Sequence, residues 1–461
     1  MGEQNAEQLS WKASQLHSLV ADIDRYATED SQHASCVPQR RRECHPRRLP
    51  AFIYPLFASV RSNAFIDTTP LATARTDRDG PALGHPPRLR VGAQRRRIGA
   101  TTILARADGL RHLALSDPEV AVVDALDGLT SPDELEVRFG ALVADLLADL
   151  AGNGFLADVD PAREPAIAFS AAGIEFAGFD RFVRFVLRRG GRFAVTGPGA
   201  AVAASFGVAG LAALLATRSW PSSGLTSGGS VVAVWLLAVA RLPQAVAHET
   251  AHGLVIESHG RRVGRAGFGF YWGGLSFFVD ATDALMLAKR HRMAQAVAGP
   301  CADLFVAGVL SLAAWQAGEG TVGFVLQALA ALIYLGVAIN LLPLLQLDGY
   351  WLLADVLDRP ELRHDSLRAL RRWREPTEPA ARGLAAYALA SLGLGASLLF
   401  LAVAVWVDEL WPIVRSAAHT SAGKVGAAAF LLPLALGLVA QTVQAWSSTS
   451  ENRNTRGGEA T

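Results

Sequence analysis

The sequence predicts a mainly α-helical membrane protein, a polytopic bundle of about six spans preceded by a small α+β soluble domain. Three observations predict it. Hydrophobic residues make up 51% of the chain and charged ones only 18%, and the charges crowd into a few blocks instead of covering a surface. Six stretches supply the roughly 20 predominantly apolar residues that a spanning helix needs: 192–216, 229–255, 295–316, 322–345, 384–407 and 426–446. Between 98 and 160 the pattern changes to short strands and capped amphipathic helices.

Residues 1–87 carry Arg40-Arg-Arg-Glu-Cys-His-Pro-Arg-Arg48 among scattered Pro, Thr and Asp. They read as a poorly ordered basic arm able to touch anionic lipid, or as a misassigned start, with no signal-peptide pattern. Cys36, Cys44 and His45 are too irregularly spaced for a metal site, Cys301 reads as a packed membrane residue, and no disulfide is implied.

The soluble domain is expected over 88–160. Residues 101–105 and 111–115 read as a strand pair around Asp108-Gly109. Ser116 can cap a helix that runs through Leu126, where Asp127-Gly128 stops it. Ser131 caps a second helix with Pro132 at its first position, ending at Phe139. A third helix, 141–151, stacks Leu142, Leu146, Leu147 and Leu150 before Gly154-Phe155-Leu156 returns as a wing. It carries Asp145 and Asp149 and no Lys or Arg, which argues against nucleic acid as a partner.

Asp124-Ala-Leu-Asp-Gly-Leu-Thr-Ser-Pro-Asp-Glu-Leu135, followed by Leu146-Leu-Ala-Asp-Leu-Ala-Gly-Asn-Gly-Phe-Leu156, resembles the PqqD-like peptide-recognition fold. That fold is a winged helix that binds leader peptides of ribosomally made, modified peptides. The resemblance implies leader binding by strand addition, in which backbone hydrogen bonds give affinity and alternate side-chain pockets give selectivity.

A juxtamembrane linker, 161–190, leads to the membrane domain, 191–447, and a tail, 448–461. Arg181, Arg184, Arg188, Arg189 and Arg192 precede the first span, and Arg261, Arg262, Arg265, Lys289, Arg290 and Arg292 lie between the second and third. Seven Arg follow the fourth span between 359 and 382. The opposite loops hold only Arg218, Arg415 and Lys424, so the rich loops and both termini are expected in the cytoplasm. The Ala-, Arg- and Gly-rich composition suggests a GC-rich bacterial source, hence a bacterial inner membrane.

The second span carries His248-Glu249-Thr250-Ala251-His252. On a helix, residues four apart share a face, so both imidazoles can reach one zinc while Glu249 lies beside them as the base for an attacking water. Ionisable residues inside a membrane are costly enough to be functional by default. A catalytic zinc takes three protein ligands. Soluble zinc-protease layouts fail here, because Val255 and Ser258 stand where a glycine and a third histidine belong, with His259 one place out of register. Glu257 is too close and Glu319 belongs to a short loop. An aspartate remains, from Asp280, Asp283, Asp303 and Asp348. Asp348 is the strongest, since it ends the apolar run Asn340-Leu-Leu-Pro-Leu-Leu-Gln-Leu-Asp348-Gly349, where Pro343 breaks the helix and Gly349 tolerates unusual dihedrals.

His-Glu-x-x-His in one span and Asn-x-x-Pro-x-x-x-x-Asp-Gly in a later one, with Ala298-Gly299-Pro300 between them, resemble the site-2 protease family of intramembrane zinc metalloproteases over roughly 190–360. The resemblance implies zinc on His248, His252 and Asp348, with Glu249 as general base. The intervening loop, 257–292, is Gly-rich and aromatic, too polar for a span, and its alternation favours short strands or a re-entrant hairpin; aromatic packing against lipid is the simpler alternative. Asp303, about two turns into the third span, either holds a ligand histidine in its tautomer or faces the water layer. Asp280 and Asp283 are expected to hold the loop.

The fusion implies a zinc metalloendopeptidase that removes the leader from a ribosomally synthesised, post-translationally modified peptide, since a recognition domain raises the precursor's effective concentration. Daptide-type biosynthesis is one such setting. Partners would be the precursor peptide and the bilayer, with peptide-modifying enzymes or an exporter beside them. The alternatives are a regulatory site-2 protease releasing a membrane-tethered factor and a non-enzymatic export or immunity partner.

Overall fold

A computed structural model describes residues 85–405 apart from 100, 158, 160–164, 171–172, 217–230, 272–273, 319 and 373–378, and beyond them 407, 408 and 415. Among the described residues the fold is mainly helical with two small antiparallel sheets.

The N-terminal sheet is a meander of β1 (Gln94–Ile98), β2 (Thr101–Ala105) and β3 (His112–Leu115), in which Arg96 pairs with Ile103 and Ile103 with Ala114. The β2–β3 turn is the expected one, with Gly109 at a φ of 69° that a side chain would disfavour. Strand β1 was hidden in sequence by its Gln-Arg-Arg-Arg run. It is an edge strand on which Arg95 and Arg97 are exposed, Arg96 is half-buried and Ile98 is buried, so its charged run masked the β signal.

Three helices follow: α1 (Asp117–Asp124), α2 (Pro132–Phe139) and α3 (Leu142–Gly152). The backbone N–H of Ser116 donates to Glu119 Oε2 at 2.7 Å. At α2 the exchange is reciprocal, since Glu134 N–H donates to Ser131 Oγ at 3.3 Å and Ser131 N–H to Glu134 Oε2 at 3.0 Å. These contacts satisfy donors that a helix start leaves orphaned. Leu104, Leu115, Val122, Leu135, Leu146, Leu150, Phe155 and Leu156 form the core. The returning segment bridges Leu89 to Leu156.

The segment read as a linker is structured. It forms β4 (Ile167–Ser170) and β5 (Gly173–Phe176), which join β6 (Ala266–Tyr271) and β7 (Gly274–Val279) in one sheet of order β4-β5-β6-β7. Two four-residue runs are too short to show a period alone; long-range pairing to the Gly-rich loop makes them strands. The loop itself forms the hairpin that its alternation predicts. Helix α4 (Phe179–Val186) follows and a π-helical turn, Leu187–Gly191, ends it.

The remaining helices among the described residues are α5 (Gly197–Ala216), α6 (Val231–Ser258), α7 (Lys289–Ala317), α8 (Thr321–Asn340), α9 (Asp348–Val356), α10 (Leu362–Arg371) and α11 (Pro379–Val405). Among the described residues, Gly197–Ala216, Lys289–Ala317 and Val322–Asn340 are long and apolar enough to cross a membrane. Helices α6 and α11 fall on the residues expected for the second and fifth spans but are not among those three. The expected sixth span, the tail and residues 1–84 lie outside the described residues.

Helix α7 is central, packing against α5, α6, α8 and α9. It meets α5 through glycines: a Cβ on Gly210 would come within 2.4 Å of Gly308 Cα, so small residues allow this crossing. The N-terminal domain sits on the start of α7. Ile98, Ile103 and Ala105 pack on Met286 of the 3-10 turn Thr282–Met286, and Asp283 in that turn pairs with His112 Nε2 at 2.9 Å and with the Arg261 guanidinium.

Candidate metal centre

Helix α6 places His248 and His252 one turn apart, and both rings point at α7. Their Nδ1 atoms are committed. His252 Nδ1 lies 2.6 Å from the Gln295 carbonyl oxygen and His248 Nδ1 lies 2.8 Å from Asp303 Oδ2. A carbonyl can only accept, and so can an ionised carboxylate, so each Nδ1 carries a proton, and each ring in its neutral form turns an Nε2 lone pair inward. The tautomers follow from these partners.

The third donor comes from the start of α9. The chain leaves α8 at Asn340, turns through Pro343, and begins α9 at Asp348. Asn340 clamps that turn: its Nδ2 donates to Asp348 Oδ2 at 2.7 Å and its Oδ1 accepts from the Asp348 backbone N–H at 3.1 Å. Gly349 is required there, because a Cβ would fall 2.3 Å from the Leu341 carbonyl oxygen.

The inward-facing atoms form a triangle. His248 Nε2 and His252 Nε2 are 3.1 Å apart, and Asp348 Oδ2 lies 3.2 Å from the first and 3.4 Å from the second. A tetrahedral ion with bonds of about 2.0–2.1 Å separates its ligands by about 3.3–3.4 Å, so the triangle has the dimensions of one face of such a site. With both rings neutral these three acceptor atoms repel, and a proton or a metal cation between them relieves that repulsion. His248, His252 and Asp348 could therefore hold a metal ion, and they are the one such group among the described residues. Gly299 leaves the space for it: a Cβ at that position would lie 2.4 Å from His252 Nε2 and 2.5 Å from His248 Nε2.

Glu249 is buried beside this group at 7% exposure, and His252 at 2%. Asp303 reaches His248, resolving the two readings of that residue, and its other oxygen accepts from Gln244 Nε2. Gln244 in turn lies 3.4 Å from an Arg241 amino group through Oε1, so a countercharge stands two side chains behind the ligand. Gln244 and the Gln295 carbonyl were not singled out by sequence reasoning, and Gly299 was noted only within Ala298-Gly299-Pro300 with no role given to it. Gln244 precedes His248 by one turn on the same face, which is the signal that could have found it.

Asp280 and Asp283 are held elsewhere. Asp280 Oδ1 accepts from the Thr282 backbone N–H at 3.0 Å and caps the 3-10 turn. Asp283 accepts from Arg261, His112 and the Arg262 N–H. Burial alone would push its carboxyl up, but these donors hold it below the ordinary range.

Comparison of the chain with protein-family models, with characterised proteins and with solved structures finds no match.

Proposed function

We propose that the protein is a zinc-dependent intramembrane endopeptidase of the site-2 protease type, which removes the leader from a ribosomally synthesised, post-translationally modified peptide at a bacterial inner membrane. The observation that carries this reading is the convergence of His248 Nε2, His252 Nε2 and Asp348 Oδ2 in apolar helices, with both Nδ1 atoms already donating. Two imidazoles and one carboxylate are a donor set that suits zinc with an open position.

When bound, zinc would supply Lewis acidity to the scissile carbonyl and lower the pKa of the attacking water. Glu249 then accepts the proton of that water and returns it to the leaving amine. Asp303 keeps the His248 ring in the tautomer that presents Nε2, Gln295 does so for His252, and Asn340 orients the Asp348 carboxylate.

The N-terminal domain supports peptide recognition over nucleic acid. Helix α3 is acidic, and burial, followed by repulsion from Asp145 and Glu119, raises the Asp149 carboxyl, the reverse of a phosphate-facing surface. Its contact with the Asp283 turn, just before the helix that backs both histidines, fits a recognition domain that delivers a peptide to them.

The test is a mass measurement. Purified full chain is incubated with short candidate precursor peptides, with and without chelator. The reading expects loss of the leader mass only when zinc is present, and none in Glu249→Gln, which keeps its zinc. Undiminished cleavage by Glu249→Gln would remove the mechanism.

A further inference from the structure

Helix α4 stands directly before the first apolar helix and has two faces. Phe179 and Val183 are buried, the Phe179 ring meeting Phe277 of β7 at 5.2 Å between centroids. The other face is open and unusual for a water-facing helix. Phe182, Phe185 and, past the π turn, Phe193 are 44%, 54% and 54% exposed. Arg181, Arg188, Arg189 and Arg192 are exposed among them, and the Arg189 guanidinium lies over the Phe185 ring at 4.9 Å. Three large aromatic rings left in water are an apolar cost that a bilayer interface would recover.

The backbone gives this helix an independent direction. Inside the turn Leu187–Gly191, Arg189 and Gly190 leave helical dihedrals, with Gly190 at a φ of 113°. Helix α4 is therefore not a straight extension of α5, and it can lie along a surface that α5 crosses. Among the charged groups of this segment, Asp180 pairs with Arg184, which leaves the aromatic face flanked by cations.

We propose that α4 and the following turn form a docking face for anionic lipid headgroups, with Phe182, Phe185 and Phe193 in the acyl boundary and Arg181, Arg188, Arg189 and Arg192 on the phosphates. Its inner face is fixed to the metal-bearing helix. A Cβ on Gly253, the residue after His252, would lie 3.1 Å from Val183 Cγ2, and Arg184 Nη1 bonds Glu257 Oε1 at 3.2 Å. The docked helix thus braces the His252 turn against the bilayer. The inference rests on the apolar helices and not on the peptidase reading, so a failed cleavage assay leaves it standing.

The experiment uses the full chain with Cys36, Cys44 and Cys301 replaced and a nitroxide on Phe185→Cys, reconstituted in phosphatidylcholine vesicles with or without phosphatidylglycerol. Collision with lipid-soluble oxygen, relative to a water-soluble nickel chelate, reports depth. The ratio at position 185 is expected to rise several-fold with phosphatidylglycerol. Each guanidinium should contribute roughly fivefold to the docked state, so Arg188→Gln/Arg189→Gln/Arg192→Gln or high salt returns the ratio to its neutral-lipid value. A nitroxide on Val137→Cys, a position 90% exposed on α2, should stay accessible to nickel throughout. Counting phosphatidylglycerol retained by the unlabelled chain, by native mass spectrometry, gives a readout free of any change at 185; the triple variant should retain less. Equal ratios in both vesicle types, or equal lipid retention by the triple variant, overturns the proposal.

Discussion

The metal centre and the Asp283 junction both bury a carboxylate between an imidazole and other polar groups, yet they ask for different things. At the junction Asp283 is 2% exposed and meets donors only: Arg261, His112 and the Arg262 N–H. Its lone pairs are satisfied, and the cluster is complete as it stands. At the centre Asp348 faces two imidazole nitrogens whose partner atoms have already used the ring protons, so acceptor meets acceptor. A buried carboxylate whose partners are all donors is a fastening, whereas one that converges with two imidazole Nε2 atoms could hold a metal ion.

Substitutions can break or sharpen this contrast. The largest effect is expected from Asp348→Asn, which should abolish stable zinc retention after dialysis, measured by elemental analysis, while Asp283→Asn leaves stoichiometry unchanged. Equal zinc loss in both would erase the distinction. Gly299→Ala comes next, since its methyl would occupy the space between the two Nε2 atoms; zinc content should fall with the helical circular dichroism intact. Asp303→Asn keeps an acceptor for His248 Nδ1 but removes the charge, and should weaken zinc about 10- to 100-fold in chelator competition.

The junction should respond to other variables. Asp283→Asn breaks a buried ion pair and is expected to cost about 3 kcal/mol of domain docking, read as faster limited proteolysis between 157 and 173. The depressed Asp283 carboxyl fixes the sign of its pH dependence. Its contribution is present above the ordinary carboxylate range and is lost as pH falls through the lowered folded value, so acid below about pH 4 should mimic the substitution. The smallest effect is Ser131→Ala, which removes the α2 cap and should lower the stability of the N-terminal domain by about 1 kcal/mol in thermal melts.

Most of the N-terminal domain was legible because its signals are local. Ser116 and Ser131 announce helix starts, and Asp108-Gly109 announces a turn; none needs a distant partner. Strand β1 and the β4–β5 hairpin were not legible. Arg95, Arg96 and Arg97 look like a solvated charge run until β2 pairs with them, and Ile167–Ser170 is too short to show a period until the chain returns with β6. The ligand pair His248 and His252 follows from a four-residue spacing alone. Among the four aspartates Asp348 stood out by ending the apolar run from Asn340, whereas nothing local told whether Asp303 meets a histidine or the water layer.

By itself, then, the sequence determined which segments are apolar enough for helices, where the N-terminal helices start, and that two imidazoles share one face, because all three depend on neighbours within a turn or two. Only the tertiary structure decided that Asp348, the carboxylate favoured in sequence, reaches both imidazoles, that Asp303 and the Gln295 carbonyl take up their Nδ1 atoms, and that Gly299 leaves the space between them. Those outcomes depend on how α6, α7 and the Asn340–Asp348 turn pack together, and contact across 40 to 100 residues of chain has no local pattern to betray it.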